Sequence, residues 1–189
     1  MSNTGATFAV LGIGNVLLAD DGIGVHVVQE IEQRVARGEV VLPPGTRLLD
    51  GGTRGPDLAP FVADAAGVVI VDALADGGNA GSVALLDGAA LDAIAVSAWP
   101  SSTATSGVDG LGGLLAALRL GGRAPGTVAL VGIRPAVIDV GLDLSAPVAA
   151  ALPRAVAAAL DELHRLERTR APVASGPDQA AGCAAEAAA

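Results

Sequence analysis

Short apolar runs alternate along the chain with segments whose apolar residues recur every three or four positions. The first run, residues 8–11, is continuously apolar, and the segment 22–37 places its apolar side chains on one face and its charged ones on the other. Continuous runs of this length predict buried strands, and the three-to-four spacing predicts amphipathic helices. The chain therefore begins with a strand, a loop over residues 12–20 and a helix.

The same alternation continues to residue 166, where the last helix ends. Further strands are predicted at residues 46–49, 67–71, 80–86 and 127–132, and further helices at 56–65, 111–120 and 145–166. We expect Pro153 to kink or interrupt the last helix, because proline lacks the N–H that a helix interior needs. The alternation predicts an α/β fold, a three-layer sandwich whose mostly parallel central sheet has about five strands and helices on both faces.

The length of the chain and its change of composition set the domain boundaries. The 189 residues are enough for one domain with a full core, which we place at residues 1–170. From residue 171 onward the sequence is reduced mostly to Ala, Gly, Pro and Ser. We expect residues 171–189 to form a low-complexity, disordered tail, since they offer little apolar surface to bury.

Charge and hydropathy exclude several classes of partner. A net charge of −9 argues against nucleic acid, whose phosphates require a basic surface. We predict no membrane partner, because no run reaches the roughly 18 apolar residues of a membrane span. No basic region precedes the first apolar run, which predicts a cytoplasmic protein without a cleaved signal peptide.

Acidic side chains gather where the predicted strands end. Asp20 and Asp21 follow the first strand, Asp50 follows the second, and Asp72 follows the strand at 67–71. The carboxyl ends of parallel strands meet at one edge of a sheet, so these groups are expected to converge. Two converging carboxylates repel unless a cation or a shared proton lies between them.

These carboxylates predict a site for a divalent cation, which prefers oxygen ligands. We assign Asp21 and Asp72 as ligands and Asp20 as the cap of the following helix. Asp50, which precedes two glycines, is more typical of a turn than of a ligand. His26 lies about 140° round the helix from Asp21 and is expected to face solvent.

Dinucleotide binding is the first alternative, because Gly12 and Gly14 follow a strand. The third glycine of that fingerprint is replaced by Leu17, and Asp50, the acidic residue after the second predicted strand, lies much further on than the expected 20 or so positions. Asp20 and Asp21 would also repel a pyrophosphate at the start of the helix. The pattern therefore favours a cation over a nucleotide.

The stretch Gly-Ile-Gly-Asn-Val-Leu-Leu-Ala-Asp-Asp-Gly-Ile-Gly, at residues 12–24, resembles the nickel–iron hydrogenase maturation protease family. Asp-Gly-Gly-Thr at 50–53, Val-Asp-Ala at 71–73 and Leu-Val-Gly-Ile at 130–133 fit the same family, and the resemblance covers residues 7–168. These endopeptidases remove a C-terminal extension from a hydrogenase large subunit once its nickel is installed. The resemblance implies that Asp21 and Asp72 hold the first and second acidic ligand positions, with Gly12, Gly14, Asn15, Asp20 and Asp50 in supporting loops.

One position departs from the family pattern. The third ligand of the family is a histidine, and the matching position here is Gly107. Asp109 is the expected substitute, with His26 as an alternative. The resemblance implies an endopeptidase whose partner is the precursor large subunit and whose metal is nickel recognised in that partner. We expect the protein to be a monomer. The missing histidine also leaves open an inactive member that binds the precursor as a checkpoint.

Overall fold

The computed structural model describes residues 8–88, 90–91 and 110–169, and its central feature is a five-stranded sheet. The strands lie in the order β2–β1–β3–β5–β4. In chain order their bounds are β1, Phe8–Ile13; β2, Thr46–Gly52; β3, Gly67–Ala73; β4, Val83–Asp87; and β5, Val128–Ile133. β1 pairs in parallel with β2 and β3, and β3 pairs in parallel with β5. The edge strand β4 is antiparallel to β5, so the prediction of a mostly parallel sheet is confirmed.

Helices cover both faces of this sheet, as predicted. Their bounds are α1, Ile23–Ala36; α2, Ala59–Val62; α3, Leu111–Leu120; and α4, Ala146–Thr169. The side chains of α1 and α4 form one aliphatic core with β1, β3 and β5, while α2 and α3 contribute to a second core on the opposite face. The central strands β1 and β3 are buried on both faces, which explains their continuous apolar runs.

Two boundaries differ from the prediction in ways that matter for the site. β2 continues to Gly52, so Asp50 lies inside the strand and not after it. The helix expected over residues 56–65 is a 3₁₀ turn, Gly55–Leu58, followed by the four-residue α2. The helix ends because Ala63 has an extended ψ of 141°, and Asp64 follows in the left-handed region with a φ of +60°.

The last helix, α4, runs through Pro153 without the predicted interruption. Proline removes the hydrogen bond that would reach the carbonyl four residues earlier, here Ala149. Both residues are exposed, so water can satisfy that carbonyl. The tail at 171–189, Gly107 and Asp109 lie outside the described residues. In the part of the chain described, no helix combines the length and apolar character that crossing a membrane requires.

Candidate active site

The glycines after β1 allow backbone segments to touch. Gly14 has a φ of +135°, and a Cβ there would lie 1.8 Å from the carbonyl oxygen of Asp21. A Cβ on Gly24 would lie 2.2 Å from the carbonyl oxygen of Val71, and one on Gly12 would lie 2.2 Å from that of Gly24. The glycines of the motif therefore let the start of α1 pack directly on the ends of β1 and β3, a role that requires no bound phosphate.

Asn15 holds the loop around Asp21. Its backbone N–H donates to Oδ2 of Asp21 at 2.8 Å, and its side-chain Oδ1 accepts from the N–H of Leu17 at 3.0 Å. Asp21 is 2 % exposed, so its carboxylate is fixed at the edge of the protein interior. Asn15 therefore helps to position the carboxylate of Asp21.

Asp20 does not cap a helix, contrary to the prediction. Neither the 3₁₀ turn at 19–22 nor α1 has a side-chain cap hydrogen bond. The fully buried carboxylate of Asp20 instead points to the β5–α4 loop. It accepts hydrogen bonds from the N–H groups of Ala136, Val137 and Ser145 and from the Ser145 hydroxyl, at 2.7–2.9 Å. Asp20 therefore joins two loops that are more than a hundred residues apart.

This environment keeps Asp20 ionised. Burial raises its pKa, but the hydrogen bonds from Ser145, Val137 and Ala136 together outweigh burial and hold the pKa below its ordinary value. A carboxylate with several N–H and O–H donors is a stable buried anion. Its role in this structure is to join the loops.

Asp72 lies at the end of β3, partly buried, and faces the charge of Asp21. Burial raises the pKa of Asp72 to about 7; the N–H of Ala73, 2.8 Å from Oδ1, opposes this shift and the negative charge of Asp21 adds to it. The two predicted ligands therefore lie close enough for the charge of Asp21 to act on Asp72. At pH 7 the Asp72 carboxyl is therefore protonated about half of the time, and a divalent cation bound there would displace that proton.

The donor set fits a shared ion only in part. Among the described residues, no three His, Cys, Asp or Glu side chains cluster closely enough to hold a metal. Asp21 and Asp72 supply two carboxylates, which suits an ion whose other ligands come from a second molecule. Asp109, the expected third donor, lies outside the described residues and stays a prediction.

A cavity of about 420 Å³ opens beside Asp21. Its polar lining was not anticipated from the sequence, apart from Asn15 and Asp21 themselves: it comes from Thr53, Arg54 and Asp57. The Arg54 guanidinium donates to the backbone oxygens of Gly51 and Asp50, so it is held at the end of β2. In the sequence, the Gly-Gly-Thr-Arg-Gly run at residues 51–55 indicates a turn. An arginine in such a turn does not predict which groups its side chain contacts.

Two other candidate residues lie apart from this centre. Asp50 is exposed, and its Oδ1 accepts from the N–H of Gly52 at 3.1 Å, the turn-forming contact that was favoured over a ligand role. His26 was expected in solvent, but it is only partly exposed and its Nε2 is enclosed, with no hydrogen-bond partner among the described residues.

Comparison with known proteins identifies the family. The sequence model of HycI, described as hydrogenase maturation protease, matches residues 25–162, which is well over half of the chain. The chain belongs to the hydrogenase maturation protease family. The predicted resemblance is therefore confirmed, and with it the class of activity, since the members of this family are peptide hydrolases.

Individual members of the maturation protease family match most of the chain. It is 33% identical over 155 residues to the hydrogenase 2 maturation protease of Escherichia coli K12, covering 82% of this chain and 89% of the relative. It is 35% identical over 156 residues to the hydrogenase expression/formation protein HupD of Rhodobacter capsulatus, covering 82% and 70%.

The solved structure of the hydrogenase maturating endopeptidase HybD from E. coli has the same fold. It superposes with a TM-score of 0.73 at 30% identity and covers 84% of this chain and 92% of that one. These comparisons favour the maturation protease over the dinucleotide-binding alternative.

Proposed function

We propose that this maturation protease removes the C-terminal extension of the large subunit of a nickel–iron hydrogenase, after recognising nickel already bound in that precursor. The observation that carries the proposal is the pair formed by Asp21 and Asp72 at the carboxyl edge of the sheet, in a chain of this family. Nickel belongs to the substrate, and the two carboxylates complete its coordination.

The chemistry then needs a water, a positive charge near the scissile carbonyl and a proton acceptor. A water oxygen attacks the carbonyl carbon, the C–N bond breaks, and the proton released by the water reaches the leaving amine. The carboxylates hold the precursor through its metal, and one of them accepts the proton in transit.

The direct test incubates the purified protein with precursor large subunit, loaded with nickel or free of it, and follows the product by intact mass. We expect a shortened product only from the loaded precursor. Asp21→Asn and Asp72→Asn should abolish it, whereas Asp161→Asn, which removes an exposed carboxylate from α4, should not. A folded wild-type chain that leaves the loaded precursor intact would exclude the protease.

A second candidate function is a binding checkpoint, favoured by Gly107 at the position where the family has histidine. In that case the protein would retain the nickel-loaded precursor without cutting it. Co-purification of uncut precursor with the wild-type chain separates this function from the protease. We place either activity in the cytoplasm, carried out by a monomer, which sedimentation of the purified chain would check.

A further inference from the structure

Large apolar side chains are exposed in two loops beside the candidate active site. Among the described residues, more than half of the exposed large aliphatic and aromatic side chains lie in the β1–α1 and β5–α4 loops. Leu17 is 59 % exposed, Leu142 is 69 % exposed and Val140 is 86 % exposed. We call this set the apolar platform; its members are Val16, Leu17, Val137, Ile138, Val140 and Leu142.

The platform is a single preformed surface, because hydrogen bonds join its two loops. The N–H of Gly141 donates to the oxygen of Leu17 at 3.0 Å, and the N–H of Ala19 donates to the oxygen of Gly141 at 2.8 Å. The buried carboxylate of Asp20 binds the second loop from beneath. A partner that docks here therefore meets an ordered surface and avoids the entropy cost of arranging it.

The platform is continuous with the candidate active site. Val16 and Leu17 lie between Asn15, which donates to Asp21, and Leu18, which lines the cavity beside Asp21. The platform therefore borders the cavity that opens beside Asp21, where a peptide bond of the precursor would lie. Exposed apolar side chains grouped in this way are typical of protein-binding surfaces.

The charges around the platform indicate the character of the partner. Within residues 16–18 and 136–144 there is no basic side chain, while Asp139 and Asp143 are both exposed. A second copy of this chain would set these carboxylates against their own counterparts in a symmetric contact, with a charge of −9 on each chain. An apolar segment bordered by basic side chains would instead match both the apolar side chains of the platform and the negative charges of Asp139 and Asp143.

We propose that the apolar platform is the docking surface for an apolar segment, bordered by basic side chains, of the precursor polypeptide. This proposal rests on the proposed function, since the precursor is the molecule that must reach Asp21. The platform contributes binding affinity away from the peptide bond that is cut, and Asp21 and Asp72 recognise the bound nickel.

The experiment compares three chains on the same nickel-loaded precursor: wild type, Leu17→Ser/Val140→Ser, and the matched control Val41→Ser/Leu120→Ser. The control removes two aliphatic side chains that are 83 % and 88 % exposed, from the α1–β2 loop and the end of α3. If wild type cuts the precursor, kcat/KM is measured; if it does not, Kd is measured on the same chains. Thermal unfolding of all three verifies that the folds are equal.

We expect the platform variant to lose about tenfold or more in kcat/KM, or in affinity, because serine at both positions removes apolar surface that docking would bury. The control should match wild type, and Leu17→Met/Val140→Ile should restore binding. Asp139→Asn/Asp143→Asn should weaken binding about twofold and reduce its dependence on salt.

Four results would overturn part or all of this scheme. If wild type cuts and the platform variant cuts equally well, the docking surface is wrong and the protease stands. If wild type binds through the platform without cutting, the docking surface stands and the protease fails. If wild type neither binds nor cuts, both fail. Self-association that the platform variant abolishes would assign the surface to a second copy instead.

Discussion

Asp20 and Asp21 are neighbours in the chain, and both are buried carboxylates, yet they lie in opposite environments. Asp20 is surrounded by donors from the β5–α4 loop, which lower its pKa and leave no room for a ligand. Asp21 lines an open cavity, and its negative charge contributes to the raised pKa of Asp72. Burial alone therefore does not identify a functional carboxylate. The groups around the carboxylate determine whether it holds loops together or is open to a ligand.

The largest expected effect is a loss of activity on changing Asp21, which distinguishes it from Asp20. Asp21→Asn should reduce precursor processing on the order of 10²- to 10⁴-fold, because it removes the charge that meets the metal and the proton. Its Oδ1 can still accept from the N–H of Asn15, so the free energy of unfolding should change little. Urea denaturation and a processing time course measure both. A loss of stability large enough to explain the lost activity would contradict the assignment.

The converse change tests the neighbour. Asp20→Ala should lower the free energy of unfolding by on the order of 3 kcal/mol, because three backbone donors and the Ser145 hydroxyl lose their acceptor. Asp20→Asn should cost less, since one oxygen still accepts. Asp161→Asn is the control for removing a carboxylate alone. An unfolding curve unchanged in Asp20→Ala would mean that the loops hold together without it.

The pH at which Asp20 acts follows from its lowered pKa. A carboxyl whose pKa is lower in the folded chain stabilises the fold above its unfolded pKa, near 4. That contribution is lost as the pH falls through the folded value. Wild type should therefore lose stability more steeply than Asp20→Asn below about pH 4.

Asp72 should show the opposite pH dependence. Its pKa is raised to about 7 in the folded chain, so between about pH 4 and pH 7 the folded state binds a proton that the unfolded state has released. Stability should fall as the pH rises through this window, by on the order of 2 kcal/mol given the partial exposure of the side chain. Asp72→Asn should flatten the curve. A slope that persists in the variant would assign the proton to another group.

The smallest expected effect concerns a single hydrogen bond to Asp20. Ser145→Ala should cost about 1 kcal/mol, because the hydroxyl is one of four donors and the others remain. In the Asp20→Ala background the same change should cost almost nothing, since the acceptor is already absent. Denaturation of the four chains gives the coupling free energy. Additive costs would show that Ser145 acts through something other than Asp20.

The arrangement of strands and helices was readable from the sequence because it depends on periodicity. The apolar runs at β1, β3 and β5 and the face of α1 report burial directly, and their order predicts a sheet edge where Asp21 and Asp72 meet. The reversed direction of β4 was not readable, because a short strand of intermediate burial carries no mark of its partner.

The role of Asp20 was not readable for a different reason. An aspartate before a helix is typical of a cap, and its actual donors lie 116–125 positions further on. Three of them are backbone N–H groups, which any residue can supply and which no sequence pattern marks. Long-range contacts of this kind depend on tertiary geometry and not on local pattern. Arg54 was missed for a different reason: its contacts with the oxygens of Asp50 and Gly51 are local, but its place at the cavity is set by the turn after β2.

The pairing of Leu18 with Gly141 has a consequence for the length of the chain. Surface loops ordinarily accept insertions and deletions without harm. Here a short parallel bridge fixes residue 18 against residue 141, and the donors to Asp20 fix positions on both sides of that bridge. One residue added to either loop would misalign the other. The two loops therefore have to change length together or not at all, although most of the chain separates them.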